Sequence, residues 1–279
     1  MEGGAMRGMF TSGVIDVLLE NGIEVDGAIG VSAGATFGCN YKSKQIGRAL
    51  RYNKKFSRDK RYGSFTSLIK TGDYYGDFCY DELVNIYDVF DRETFAANPM
   101  EFWVVATDVE TGESVYHKCE DGQDEDMSWI RASASMPLFS KIVEIDGGKY
   151  LDGGISDAVP LEFFEGIGFA KNLVVLTQPI GYMKKPNALQ PAIKKAYADY
   201  PELVHAMEIR HENYNRNYEY IRERAGAGEA LIIAPDVPLK IGRIERNPKE
   251  LQRVYDIGRA KAEEMLDRIK AFLENAKNN

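Results

Sequence analysis

Apolar positions recur with two different periods along the first half of the chain. Over 9–19, Phe10, Val14, Val17 and Leu18 share one helical face, and Asn21-Gly22 supplies a stop signal. Residues 23–29 form a short apolar run suited to a buried parallel strand. Ala33, Ala35, Thr36, Phe37 and Cys39 then offer the small and apolar surface of a buried helix. Residues 102–107 read as a strand, 110–113 as a turn and 114–117 as the returning strand. A short helix is predicted over 127–134, ended by Pro137. Residues 142–145 and 149–151 flank Asp146-Gly147-Gly148 as a hairpin, and 172–177 form one more buried strand. Strands alternating with helices predict an α/β fold with a largely parallel central sheet.

Beyond Pro186 the pattern changes. Residues 188–224 are rich in tyrosine and charge at helical spacing, and Gly226-Ala227-Gly228 breaks them. Residues 230–234 predict another strand. Residues 248–276 predict a long amphipathic helix with Leu251, Val254, Tyr255, Ala262, Met265, Leu266, Ile269 and Phe272 on one stripe, frayed after Leu273. No linker-like stretch divides the chain. The expectation is one domain over 1–279, with an α/β core over 1–180 and a helical extension with one strand over 186–279.

Composition narrows the classes. At 44% hydrophobic the chain is ordinary for a globular protein, and no stretch approaches the roughly 18 apolar residues of a membrane span. No basic region followed by an apolar run opens the chain, so no secretory leader is expected. The net charge of −8 weighs against nucleic-acid partners and against electrostatic adsorption to anionic lipid. Cys39, Cys79 and Cys119 are odd in number and lack metal-type spacing, which predicts a reducing, cytoplasmic setting and neither a disulfide framework nor a metal site. Nothing calls for a cofactor. Lys54-Lys55, Arg58, Lys60-Arg61 and Lys184-Lys185 are local basic runs. The first group reads as a solvated surface before it reads as a basic face at a pocket mouth.

Chemistry concentrates in three places. Gly30-Val31-Ser32-Ala33-Gly34 falls between a predicted strand and a predicted helix, the context in which a tight turn lifts a serine hydroxyl onto a strained elbow to attack a carbonyl. Without that context it is a glycine-rich turn packing a helix on a sheet. Glu2-Gly3-Gly4-Ala5-Met6-Arg7-Gly8 has small residues whose N–H groups can turn towards an anion, just before a helix. A dinucleotide loop is the rival, but Gly4, Met6 and Arg7 break its spacing. Asp152-Gly153-Gly154 puts a carboxylate at a strand end, either as a turn cap or as a partner for Ser32. Among His117, His205 and His211, the first reads as a surface or edge residue. The other two lie in the charged helical stretch, not in a loop after a strand where a triad histidine belongs.

These blocks, in this order, resemble the patatin-like phospholipase family. Residues 2–8 are similar to its glycine-rich oxyanion motif, residues 30–34 to its nucleophile elbow, and residues 152–154 to its Asp-Gly-Gly/Ala motif. Arg131-Ala132-Ser133-Ala134-Ser135-Met136-Pro137-Leu138-Phe139 is similar to the segment preceding that aspartate. The likeness runs over residues 2–160 and weakens after 180.

It implies a three-layer α/β/α fold and a serine acyl hydrolase with a Ser32–Asp152 dyad. Gly3, Gly4 and Ala5 would form the oxyanion hole, supported by Arg7, Gly8, Gly30, Gly34, Gly153 and Gly154. The substrate would be a lipid or small acyl ester, with transient contact at a membrane surface. Arg7 is expected to brace the loop or attract a phosphate or carboxylate. Phe37, Phe56, Phe65, Tyr74 and Tyr75 are candidates for an acyl channel. Alanine stands where the family has a third glycine, and the family's first strand would precede Met1. The glycine loop is therefore expected to hang on a free terminus and fray, and a version extended by several residues to be more stable and more active. Two other readings stand beside the dyad: a Ser-His-Asp triad using His205 or His211, and a regulator that binds lipid without turnover.

Overall fold

The helix predicted over 9–19 forms as α1 (Met9–Glu20), and the Ile23 amide closes its end on Leu18 O. That closure delays the first strand, which runs as β1 (Gly27–Val31) instead of starting at residue 23. In this computed structural model, which describes residues 1–277, the chain continues through α2 (Ala33–Lys42), α3 (Arg48–Phe56), α4 (Phe65–Thr71), α5 (Asp77–Tyr80) and α6 (Arg92–Ala97). Next come β2 (Glu101–Asp108), β3 (Ser114–Cys119), α7 (Asp124–Ser133), β4 (Val143–Ile145), β5 (Gly148–Asp152) and α8 (Leu161–Gly166). The last third holds β6 (Asn172–Val175), α9 (Gln190–Ala196), α10 (Pro201–Gly226), β7 (Ala230–Ile233) and α11 (Pro248–Lys277). Helix α7 begins earlier than its apolar pattern, because Asp124, Glu125 and Asp126 place carboxylates in its first turn. The helical stretch from residue 188 divides in two, and Pro201 opens α10 at a position where its missing N–H costs nothing. Helix α11 continues past Leu273 through Lys277, and the last two residues of the predicted frayed tail lie outside the described residues.

The fold is mixed α/β, with parallel strands at its centre. β1 pairs with β2 in parallel, and β6 with β7 in parallel. The antiparallel pairs are β2–β3, β2–β5 and β4–β5. β3 and β4 are each joined to the next or preceding strand by a short turn, and a short turn can only reverse the chain.

Side chains alternate across the sheet with period two. Phe102, Val104 and Ala106 of β2 enter the large core shared with α1, α2, α7 and α11, while Trp103 and Val105 face Phe163, Phe164 and Phe169 around α8. β6 and β7 do the same: Val175 and Ile233 join the large core, and Val174 and Ala230 join Tyr214, Tyr218 and Ile221 of α10. The five-stranded sheet and the separate β6–β7 pair form one strand layer with helices on both faces, which makes three layers. The predicted stripe of α11 docks on α1, and the two backbones come close enough that a Cβ on Gly258 would lie 2.0 Å from Phe10 O.

Candidate active site

Strand register brings the site together. β1 ends with Val31 opposite Val105, and β5 ends with Asp152 opposite Ala106. β3 covers residues 102–107 of β2 along the other edge, so β1 and β5 must share one edge, meeting end to end. Ser32 and Asp152 therefore arrive at the same step of β2 from opposite directions.

The elbow is as tight as its glycines require. Ser32 sits at φ 54°, ψ −117°, a conformation that costs about 1–3 kcal/mol and persists only where surrounding packing holds it. A Cβ on Gly30 would lie 2.2 Å from Gly34 O, and one on Gly34 2.4 Å from Met1 O. Gly153 is as confined, a Cβ there falling 2.1 Å from Val105 O, and a Cβ on Gly8 would lie 2.7 Å from Ala33 Cβ. The Ser32 amide donates to Ser133 Oγ at 2.9 Å, and the Asp152 amide to Ser135 O at 2.9 Å. The segment 131–139 thus positions both members of the pair.

Ser32 Oγ donates to Asp152 Oδ2 at 2.6 Å. Asp152 Oδ1 accepts the Gly154 amide at 2.8 Å, so one carboxylate oxygen is anchored and the other faces the serine. Burial pushes the Asp152 carboxyl above its ordinary range, opposed by the Ser32 hydrogen bond, the Arg210 charge and the Gly154 amide. Neither His205 nor His211 lines a cavity with Ser32. His205 is exposed on α10, and His211 Nδ1 is 3.0 Å from Glu208 O in the same helix.

Gly3, Gly4 and Ala5 line the same cavity as Ser32 and Asp152, and none of their amides donates to another described residue. Ala5 adopts φ 49° without being glycine. The loop does not hang free. The Met1 nitrogen donates to Ile29 O at 2.8 Å, Met1 O accepts the Val31 amide at 3.2 Å, and the Glu2 amide donates to Val175 O at 2.9 Å. The first two residues thus lie between β1 and β6. The buried Glu2 carboxylate accepts the Thr177 amide and the hydroxyls of Tyr214 and Tyr218 at 2.5, 2.5 and 3.1 Å. Glu2 carries no signal in the sequence beyond adjacency to the glycines, because its partners come from the loop after β6 and from α10.

Ser32 stands between two cavities. One is an apolar channel walled by Phe37, Tyr52, Tyr62, Tyr75, Leu83 and Val84. Of the predicted channel aromatics, Phe37 and Tyr75 line it. Phe56 lies in the core, Tyr74 is buried elsewhere and Phe65 is exposed. The second cavity holds the glycine loop, Asp152, Arg7 and Lys184. Of the basic runs, only Lys184 reaches the site. Lys54 bonds Gln252, and Arg61 pairs with Asp59. Away from both cavities, His117, Cys119 and Asp126 offer three metal-ligand atoms within 4.8 Å of one another. His117 lies half-buried on the edge strand β3, stacked on Trp129, and Asp126 also accepts the Asp121 and Gly122 amides. No described helix is long and apolar enough to cross a membrane.

Comparison with known proteins agrees with the geometry. The family model described as patatin-like phospholipase matches residues 1–164, and one described as a domain of unknown function (DUF6363) matches residues 200–274. The chain is 26% identical to the uncharacterised protein YjjU of Escherichia coli K12, over 92% of this chain and 73% of that one. It is also 26% identical to an uncharacterised NTE family protein of Mycobacterium tuberculosis H37Rv and to one of Mycobacterium bovis, over 59% of this chain and 44% of theirs. The chain thus spans less than half the length of those mycobacterial relatives.

Proposed function

The chain belongs to the patatin-like phospholipase family, and we propose that it is a serine acyl-ester hydrolase working through a Ser32–Asp152 dyad. The observation that carries this reading is the 2.6 Å hydrogen bond from Ser32 Oγ to Asp152 Oδ2, on a strained elbow with no histidine at hand. Asp152 Oδ2 takes the Ser32 proton as Oγ attacks the ester carbonyl. The Gly3, Gly4 and Ala5 amides stabilise the oxyanion. Asp152 returns the proton to the leaving alcohol, then draws one from the water that attacks the acyl-enzyme and passes it to Ser32 Oγ as the acid leaves. Its raised pKa makes it a stronger base towards serine than an exposed aspartate.

The apolar channel supports an acyl chain as the part of the substrate held on one side of Ser32. Ile69 and Ile86 are 86% and 67% exposed on the segment that walls this channel, which supports transient contact with a lipid surface. The core shared by α1 and α11 supports one domain over 1–279. Ser32→Ala is expected to lower turnover of a short p-nitrophenyl ester by about 10⁴-fold or more and to abolish labelling by a fluorophosphonate. Labelling that survives the substitution sinks the assignment.

A further inference from the structure

The second cavity at Ser32 gathers four cationic side chains against two carboxylates. Arg7 comes from the turn before α1, Lys184 from the loop after β6, Arg210 from α10, and Arg243 from the loop before α11. None of the four forms an ion pair among the described residues. Arg7 Nε is buried without a hydrogen-bond partner. The lining carboxylates are Glu2 and Asp152, and Glu2 is already committed to Thr177, Tyr214 and Tyr218.

The cations are held in place. Lys184 exchanges backbone hydrogen bonds with the Asn215 side chain at 2.8 and 3.1 Å, and its Nζ lies 3.9 Å from the centre of the Tyr214 ring. Arg210 Nε donates to Gly154 O at 2.5 Å, and Arg243 O accepts the Met6 amide at 3.4 Å. Burial, and then the Arg210 charge, lower the Lys184 pKa to about 7, with the Glu2 carboxylate opposing them only in part.

We propose that this cavity is a headgroup subsite in which Arg7, Lys184, Arg210 and Arg243 select acyl esters whose alcohol half carries a phosphate monoester, over zwitterionic and neutral headgroups. The inference rests on the acyl-hydrolase reading for its orientation. The acyl chain enters the apolar channel, Ser32 meets the carbonyl, and the alcohol half falls on the cationic side. Three of the four cations lie outside the segment matched by the patatin-like model, so the C-terminal third supplies the selection and the first 164 residues the chemistry. A phosphate monoester brings close to two charges and several strong acceptors, which suits guanidinium forks and an ammonium held on fixed backbone.

Two measurements test it. The first compares kcat/KM for a short-chain 1-acylglycerol 3-phosphate, the matching phosphocholine and the matching monoacylglycerol, all below their aggregation limits. The phosphate monoester is expected to be preferred by about tenfold or more, and Arg243→Gln and Lys184→Gln each to bring that ratio towards one. The ratio is taken within one protein sample, so partial misfolding cancels. The second measures binding of the uncleavable 1-alkyl ethers of the same phosphate monoester and phosphocholine, which needs no turnover. Tighter binding of the phosphate ether, by about tenfold, is expected. Equal binding of the two ethers, or a substrate ratio that both variants leave unchanged, overturns the subsite. Inhibition by inorganic phosphate with no preference among the esters assigns the cavity to a free anion and overturns the headgroup role. Selective ether binding without hydrolysis of any ester, the p-nitrophenyl ester included, keeps the subsite and discards the hydrolase.

Discussion

Two regions meet at Ser32 and are built in contrasting ways. The elbow and the end of β5 are backbone packed on backbone: Gly30 against Gly34, Gly153 against Val105, Ser32 and Asp152 at one step of β2. The outer wall of the channel, from residue 57 to 90, is made of short helices and a π-helical turn over Leu83–Tyr87, and carries exposed Phe65, Ile69, Ile86 and Val89. The first region has no freedom to move without losing the serine–carboxylate contact. The second buries tyrosines inward and leaves apolar side chains outward. The Ser32–Asp152 pair is held by strand ends, and the channel beside it by segments with little regular structure to resist change.

Substitutions in the two regions should separate sharply. The largest effect is expected from Asp152→Asn, which keeps the shape and removes the base. Turnover should fall by about 10⁴-fold or more. The stability change has the opposite sign. A carboxyl whose pKa is raised on folding binds more protons folded than unfolded, so its contribution is favourable at low pH and is lost as pH rises from the unfolded value through the folded one. At neutral pH the ionised Asp152 is a cost, and Asp152→Asn is expected to raise the melting temperature. A lower melting temperature would show that the hydrogen bonds to the carboxylate outweigh its burial. The wild-type activity should also fall with decreasing pH through a midpoint above the ordinary aspartate value of about 3.9, and a midpoint at or below that value breaks this account of Asp152.

Gly30→Ala comes next. Its Cβ would meet only backbone, at Gly34 O, Gly34 C and Ala35 N, so no side chain can turn aside. A loss of about 3 kcal/mol on denaturant unfolding is expected. An unfolding midpoint close to wild type would mean the elbow yields more readily than its contacts imply. The smallest effect belongs to the wall. Ile69→Glu, at an 86% exposed position, should change stability by less than about 0.5 kcal/mol while weakening sedimentation with neutral phosphatidylcholine vesicles. A large stability loss would remove the contrast between the regions.

Much of the fold could be read from residue patterns, with errors of specific kinds. Strand β1 starts four residues later than its apolar run because the Ile23 amide closes α1. Helix α7 starts earlier than its apolar residues because acidic side chains, which pattern alone discards, suit a helix N-terminus. At the site, Ser32, Asp152 and the glycine loop were legible because tight turns demand particular residues at particular spacings. Glu2, Arg210 and Arg243 were not. A buried glutamate and two arginines in a charged stretch look like solvated surface until their neighbours from distant elements are known.

The sequence by itself determined the alternation of strands and helices, the elbow at Ser32, the turn at Asp152 and the amides of Gly3, Gly4 and Ala5. Each is set by local backbone geometry and by the period of apolar residues. Only the tertiary structure decided that Ser32 and Asp152 face each other, that Met1 and Glu2 are held between β1 and β6, and that Arg7, Lys184, Arg210 and Arg243 share one cavity. Those outcomes depend on which strand edges pair and in what register, and pairing energy is gained only once residues far apart in the chain are brought together.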